Sequence, residues 1–248
     1  MNQLFIVGAQ RSGTTYLYKM LDAHPEIFMA KPIRPEPKFF LNEELFSQGR
    51  DVYEQRYFST CVKEHKYIGE KSTSYIENMQ AAKRFSMYYP NARILIILRN
   101  PALRAWSNYC FSVDNGLEQL DFASALLAEE DRMSNLKYKT SVNPYAYRKR
   151  GYYINYIDAY DSFFKKNQMK VIIFEEMVGR LEEVQNLYRW LGVKNNFNPV
   201  GLGEVYNSSV SQGNMPASFF CSMMQGYKES IERLEEYLGR KIHVWEKK

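Results

Sequence analysis

The chain has 248 residues, 45% of them hydrophobic and 25% charged, with a formal net charge of +5. These proportions belong to a soluble globular protein long enough for one substantial core, and they exclude a disordered or fibrous chain. The mild positive balance suits an anionic ligand and, with no dense Lys/Arg run, falls short of a nucleic-acid binder.

Three cysteines (Cys61, Cys110 and Cys221) are odd in number, far apart and outside any C-x-x-C or Cys/His cluster. They suggest neither a disulfide framework nor a structural zinc, and they point to a reducing compartment. The chain enters its first apolar run within a few residues and has no run of eighteen apolar residues. The expectation is a cytoplasmic protein without a membrane span. No repeat or linker divides it, so one domain is expected over residues 1–248. Its 20 Tyr and 15 Phe predict aromatic-lined clefts or densely filled cores.

Phe5, Ile6 and Val7 form a strand that runs into a loop bearing Gly8 and Gly13, then a helix over 14–23 with Tyr16, Leu17, Met20 and Leu21 on one face. A parallel strand feeding a glycine loop and a helix N-terminus aims amides and the helix dipole at one point, where an anion is favoured. Arg11, Ser12, Thr14 and Thr15 would add donors, giving a phosphate or sulfate cradle. The spacing follows G-x-x-x-x-G-K-[ST], but Thr14 stands where a lysine would reach the outer phosphates of a triphosphate. That argues against an ordinary kinase or ATPase while leaving the cradle. The alternative is a strand–turn–helix junction with no ligand.

His24-Pro25 ends the helix, and Ile27–Met29 is a second strand. The run Lys31 to Phe40 holds three prolines and predicts a stiff, extended loop. It is either a surface connection or a wall of an anion cleft anchored by Phe39 and Phe40. A short helix is predicted over 51–58. The strand beginning at Tyr67 then ends in Glu70-Lys71-Ser72. Functional groups gather at the carboxyl ends of strands in open α/β sheets, which makes Glu70 the best general-base candidate, against a salt-bridged structural glutamate. His65 precedes the strand, on a turn.

A helix over 77–89 leads to Arg93–Leu98, apolar on both faces as buried parallel strands are. Arg99 follows it, Asn100 caps the next helix, Pro101 suits its first turn, and Ser107 lies two turns along. This second strand–cation–helix junction is a second candidate anion site, unless Arg99 pairs with a structural carboxylate. A helix capped by Asp121 reaches about residue 135. The basic stretch 137–150 is either a loop at the substrate mouth or solvated surface. Further elements are a helix over 151–166, a strand over 170–174, a helix over 181–191, a long polar loop over 195–215 and a last helix over 216–238 closed by Gly239.

Gln10-Arg11-Ser12-Gly13-Thr14-Thr15 resembles the 5′-phosphosulfate loop of the sulfotransferases that use 3′-phosphoadenosine 5′-phosphosulfate (PAPS). Arg99-Asn100-Pro101 through Ser107 to Tyr109 resembles their 3′-phosphate strand and helix. Glu70-Lys71-Ser72, the run Arg34 to Phe40 and the tail Leu238 to Trp245 are similar to the glycan-modifying, heparan sulfate type.

The resemblance implies an α/β, three-layer, P-loop-like fold with a central, mostly parallel sheet flanked by helices. It implies a PAPS-dependent transfer to a hydroxyl or amine with no metal, and a saccharide or small metabolite as acceptor. Arg11, Ser12, Gly13, Thr14, Thr15, Tyr16, Arg99 and Ser107 would hold the nucleotide. Glu70 would take the proton, Arg11 would stabilise the leaving phosphate, and Lys31, Lys38 and Lys71 would serve the substrate side.

Two departures stand out. The family often has lysine where Arg11 stands, and an arginine has no practical proton to give. The late polar stretch 207–214 has no Lys or Arg, so its nucleotide contacts would be hydroxyls and amides, or Arg148 or Arg150 would substitute. The alternatives are a P-loop kinase or NTPase with an atypical loop, and a non-catalytic nucleotide- or glycan-binding module. Acceptor and oligomeric state stay open.

Overall fold

A computed structural model describes residues 1–135, 143–204, 206 and 213–246. In chain order these form β1 (Asn2–Gly8), α1 (Thr14–Asp22), β2 (Ile27–Met29), α2 (Glu43–Ser47), α3 (Arg50–Phe58), β3 (Tyr67–Lys71), α4 (Met79–Tyr88), β4 (Arg93–Leu98) and α5 (Pro101–Asp114). They continue as α6 (Phe122–Leu127), α7 (Glu129–Asn135), α8 (Tyr153–Tyr160), β5 (Met169–Ile173), α9 (Phe174–Met177), α10 (Leu181–Leu191) and α11 (Ala217–Leu238). The chain divides into two compact units, residues Met1–Leu98 with Tyr156–Tyr206, and Arg99–Asn155 with Asn207–Lys248.

The first unit holds a parallel sheet in the order β2-β3-β1-β4-β5. Alternation along the strands sorts side chains to opposite faces. Leu4, Ile6, Leu95, Ile97 and Ile172 pack with Tyr16, Leu17, Met20 and Leu21 of α1 and with Val184, Leu187, Tyr188 and Leu191 of α10. On the other face Phe5 stacks on Phe85 of α4, centroids 4.6 Å apart, and meets the edge of Phe40 at 5.7 Å. Tyr53 of α3 and Tyr75 continue this aromatic layer around Phe40. Each fully buried Phe contributes about 1.5–3 kcal/mol relative to exposure, and edge-to-face pairs add to that. The result is the expected three-layer α/β arrangement.

The second unit is helical among its described residues. Asn100 caps α5, its Oδ1 accepting from the amides of Ala102 and Leu103 at 3.1 and 3.2 Å. Ala102 and Ala105 of α5 pack into a core with Phe122, Tyr147, Phe220, Met223 and Tyr227. The helix predicted over 121–135 is two helices, α6 and α7, meeting at Ala128. The one predicted over 151–166 is shorter, α8 over Tyr153–Tyr160. Trp245 is buried beside Tyr153, with centroids 6.2 Å apart.

Candidate functional site

The cradle is built in the first unit by one irregularity and two glycines. Pairing between β1 and β4 slips between Ile6 and Gly8, so the strand leaves its ladder as the loop begins. A Cβ at Gly8 would lie 2.6 Å from Ile76 Cγ2. Gly13 is the N-cap of α1 at φ 87°, and a Cβ there would lie 2.1 Å from the Phe174 ring. The α1 N-terminus has no side-chain cap, so its first amides are presented to a ligand. Ser12 is fully buried, and its Oγ has no hydrogen-bond partner among the described residues. Arg11 holds a left-handed φ of 64°. Thr14 is buried, Thr15 is half-buried, and the Tyr16 hydroxyl donates to the Leu202 carbonyl at 2.8 Å. An orphaned buried hydroxyl, an uncapped helix and a loop that rejects a Cβ are what a tetrahedral oxyanion requires.

Two carboxylates stand near one another beside β3. Glu70, in register with Phe5, points into the aromatic face and has 0% exposure. Its Oε2 accepts from the Tyr53 hydroxyl at 2.9 Å, and Tyr53 in turn accepts from Gln3 Nε2 at 3.2 Å. Oε1 has no hydrogen-bond partner among the described residues. Burial pushes the carboxyl pKa up to about 7, against the hydroxyls of Tyr75, Tyr53 and Ser72, which pull it down. Glu36 comes from the proline-rich loop, and its side chain is 14% exposed. It accepts from the Thr73 amide at 3.0 Å, from Thr73 Oγ1 at 3.1 Å, and from Lys71 Nζ. Sequence reasoning missed Glu36, although a lone acid between two prolines was a signal for it.

The three lysines expected on the substrate side have different settings. Lys71 is nearly buried and paired with Glu36. Lys31 pairs with Asp22 and lies over the Tyr18 ring, 5.2 Å from its centroid. Lys38 sits at φ 48° and its amide donates to Ser72 Oγ at 2.9 Å. His65 is on the turn expected for it, its Nδ1 accepting from the Val62 amide at 3.0 Å.

In the second unit Arg99 is fixed by its carbonyl, which accepts from the Tyr153 hydroxyl at 2.8 Å. Ser107 is buried on α5. Arg104, fully buried, reaches the Tyr147 carbonyl, and Asn108 Nδ2 donates to the Pro144 carbonyl at 2.9 Å. Both tie the chain after residue 143 to α5. Glu118 holds the same segment: it accepts from Arg132 at 2.6 Å and from the Tyr147 hydroxyl at 2.8 Å. Glu129 accepts from the amides of Arg148 and Lys149 at 2.8 and 2.9 Å. Part of the basic stretch is therefore braced structure: Arg150 is buried, while Arg148 keeps 44% of its side chain exposed. Residues 136–142 and 207–212, where basic-loop and nucleotide-loop functions were expected, lie outside the described residues. Among the described residues no group of three His, Cys, Asp or Glu side chains could hold a metal ion, and no helix is long and apolar enough to cross a membrane.

The family described as a sulfotransferase domain matches residues 1–212, a span that runs through both units. The human bifunctional heparan sulfate N-deacetylase/N-sulfotransferase 1 is 26% identical over 249 residues, covering 96% of this chain and 26% of its own length. The chain thus spans about a quarter of the length of that curated relative. The crystal structure of a sulfotransferase from Alicyclobacillus acidocaldarius superposes with a TM-score of 0.82 at 28% identity, covering 100% of this chain and 99% of that one. A mouse sulfotransferase, SULT7A1, complexed with PAP shares the fold at a TM-score of 0.52 and 14% identity, covering 95% of this chain and 85% of its own.

Proposed function

Because this chain belongs to the sulfotransferase family, we propose that it moves the sulfuryl group of PAPS to a hydroxyl or amine of a saccharide or small-molecule acceptor. The observation that carries the reading is the Gly8–Thr15 cradle, with its buried, unpartnered Ser12 hydroxyl and its glycine closed by Phe174. The acceptor oxygen or nitrogen forms a bond to sulfur as the bond from sulfur to the bridging phosphate oxygen breaks. The acceptor's proton goes to a base, and 3′-phosphoadenosine 5′-phosphate (PAP) leaves. Charge grows on the bridging oxygen, where preorganised donors act most strongly. The α1 amides, Ser12, Thr14, Thr15 and Arg11 supply them. Arg11 stabilises that charge as a permanent cation and gives up no proton. Arg99 and Ser107 are assigned the 3′-phosphate, and a heparan-type glycan is the acceptor class suggested by the human relative.

For the proton, a base must touch the group it deprotonates. Glu70 was the choice from sequence, but its 0% exposure favours the partly exposed Glu36, with Lys71 beside it. Thermal shift with PAP and with ATP, followed by acceptor screening with labelled PAPS, tests both levels. PAP should stabilise the protein, by about 2.7 kcal/mol at a hundredfold excess over Kd, and ATP should not. Stabilisation by ATP alone would restore the kinase or NTPase alternative. Glu36→Gln should retain PAP binding and lose transfer. Full transfer by Glu36→Gln, with loss only in Glu70→Gln, would return the base to Glu70.

A further inference from the structure

The buried surroundings of Glu70 hold two hydroxyl protons and one carboxylate oxygen still to be matched. Ser72, Tyr75 and Glu70 all have 0% exposure. A hydroxyl carries one proton and can also accept. Ser72 Oγ accepts from the Lys38 amide at 2.9 Å, and the Tyr75 hydroxyl accepts from the Phe40 amide at 3.2 Å. Both hydroxyls lie beside the Glu70 carboxylate, whose Oε1 has no hydrogen-bond partner among the described residues, and Ser72 also reaches the Tyr75 hydroxyl. Two buried protons and one buried acceptor therefore face each other, and leaving them unmatched would be costly.

We propose that Glu70 is a positioning residue: its carboxylate takes the hydroxyl protons of Ser72 and Tyr75, turning both oxygens to receive the Lys38 and Phe40 amides and so fixing the loop that presents Glu36. The inference rests on the reading of Glu36 as base. Glu36 is then held at both ends of a short span, by Lys71 and Thr73 on its own carboxylate and by the two amides just downstream. Phe39 and Phe40, both fully buried, anchor that downstream end. A carboxylate thereby governs catalysis without meeting substrate. The groups facing it are Tyr53 and Tyr57 of α3, Tyr75, Ser72 and Glu36. Burial raises the pKa of all three tyrosines, so they stay neutral while Glu70 titrates.

Site-resolved amide hydrogen exchange on the full chain, together with PAP affinity, tests this without any acceptor. Glu70→Gln should speed exchange at Lys38 and Phe40 by about tenfold, the scale of one hydrogen bond. It should leave PAP affinity within about twofold, since the cradle is untouched. In the wild type, protection of these two amides, corrected for intrinsic exchange, should weaken between pH 8 and 6; in Glu70→Gln that dependence should vanish. Ser72→Ala should release Lys38 alone and Tyr75→Phe should release Phe40 alone. The idea is overturned if Glu70→Gln leaves both amides protected, or if exchange rises equally along β3. Should Glu70→Gln not fold, the wild-type pH profile and the Ser72 and Tyr75 variants decide: one-to-one loss supports the assignment, and unchanged or uniform exchange refutes it. Failure of PAP to bind the wild type would defeat the sulfotransferase reading and leave the exchange result standing.

Discussion

Gly13→Ala is the sharpest probe of the cradle, because two separate penalties meet at one carbon. The position has φ 87°, and a residue with a Cβ costs about 1–2 kcal/mol in the left-handed region. The added methyl would also lie 2.1 Å from Phe174 Cδ2 and 2.4 Å from Cε2, so the ring must move, an overpacking cost of about 1–3 kcal/mol. The sum is about 2–5 kcal/mol, with displacement of the loop that should hold the phosphosulfate. A double-mutant cycle separates the parts. In a Phe174→Ala background only the backbone cost remains, so Gly13→Ala should cost about 1–2 kcal/mol there. Urea unfolding of the four proteins gives the coupling, and PAP titration of the folded ones shows whether binding recovers with the ring gone. If the two substitutions add within about 0.5 kcal/mol, or if Gly13→Ala binds PAP like the wild type, Phe174 does not close the cradle.

Glu70 makes stability depend on pH in the unusual direction for a carboxylate. Its folded pKa is raised from 4.5 to about 7, so the folded state binds more protons in that window and stability falls as pH rises through it. The loss is on the order of 3 kcal/mol, and Glu70→Gln should flatten that part of a denaturation-versus-pH curve; an unchanged curve would mean that Glu70 is not the titrating group. His24 acts oppositely. Its Nδ1 accepts from the Glu26 amide at 3.1 Å and its Nε2 donates to the Lys194 carbonyl at 2.9 Å, so the folded state requires the neutral ring. Burial lowers its pKa from 6.5. Its contribution is therefore complete above about 6.5 and is lost as pH falls through the lowered folded value, which NMR titration of the ring would follow. Glu118→Ala should cost about 1–3 kcal/mol by leaving the buried Tyr147 hydroxyl without its acceptor. Hydrogen exchange should locate that loss around 143–151, and uniform loss through the sheet would contradict it.

Much of the fold was legible because its signals are local. Arg93–Leu98 is an unbroken apolar run and became β4 with the same bounds. Asn100-Pro101 marked the start of α5, and Gly192 and Gly239 the ends of α10 and α11. Two short helices were not foreseen. For α2 the signal was present, since Asn42 caps it by accepting from the Leu45 amide at 2.9 Å and Glu43 and Glu44 follow in its first turn. The expected loop ends at Phe40 and the next expected helix begins at residue 51, which leaves this stretch without an assignment. The other, α9, is a single turn whose Phe174 packs on Gly13, a contact between residues 161 positions apart that no local pattern carries.

The site divides along the same line. The glycine loop, the capped α5 and the strand-end carboxylate are each visible from neighbours in sequence. Which carboxylate faces solvent is not, because that depends on pairing. Glu70 lies beside Phe5 in the β1–β3 register and therefore shares its face, the one filled by Tyr53, Phe40 and Phe85. A shift of one residue in that register would turn Glu70 to the opposite face. A strand-end acid is thus either a buried hub or an exposed base according to a parity that only the neighbouring strand sets. Here that parity buries Glu70, and the reactive role is proposed for Glu36, on the loop that the proposed hub would fix. The acid found first from sequence and the acid proposed to react are two parts of one arrangement.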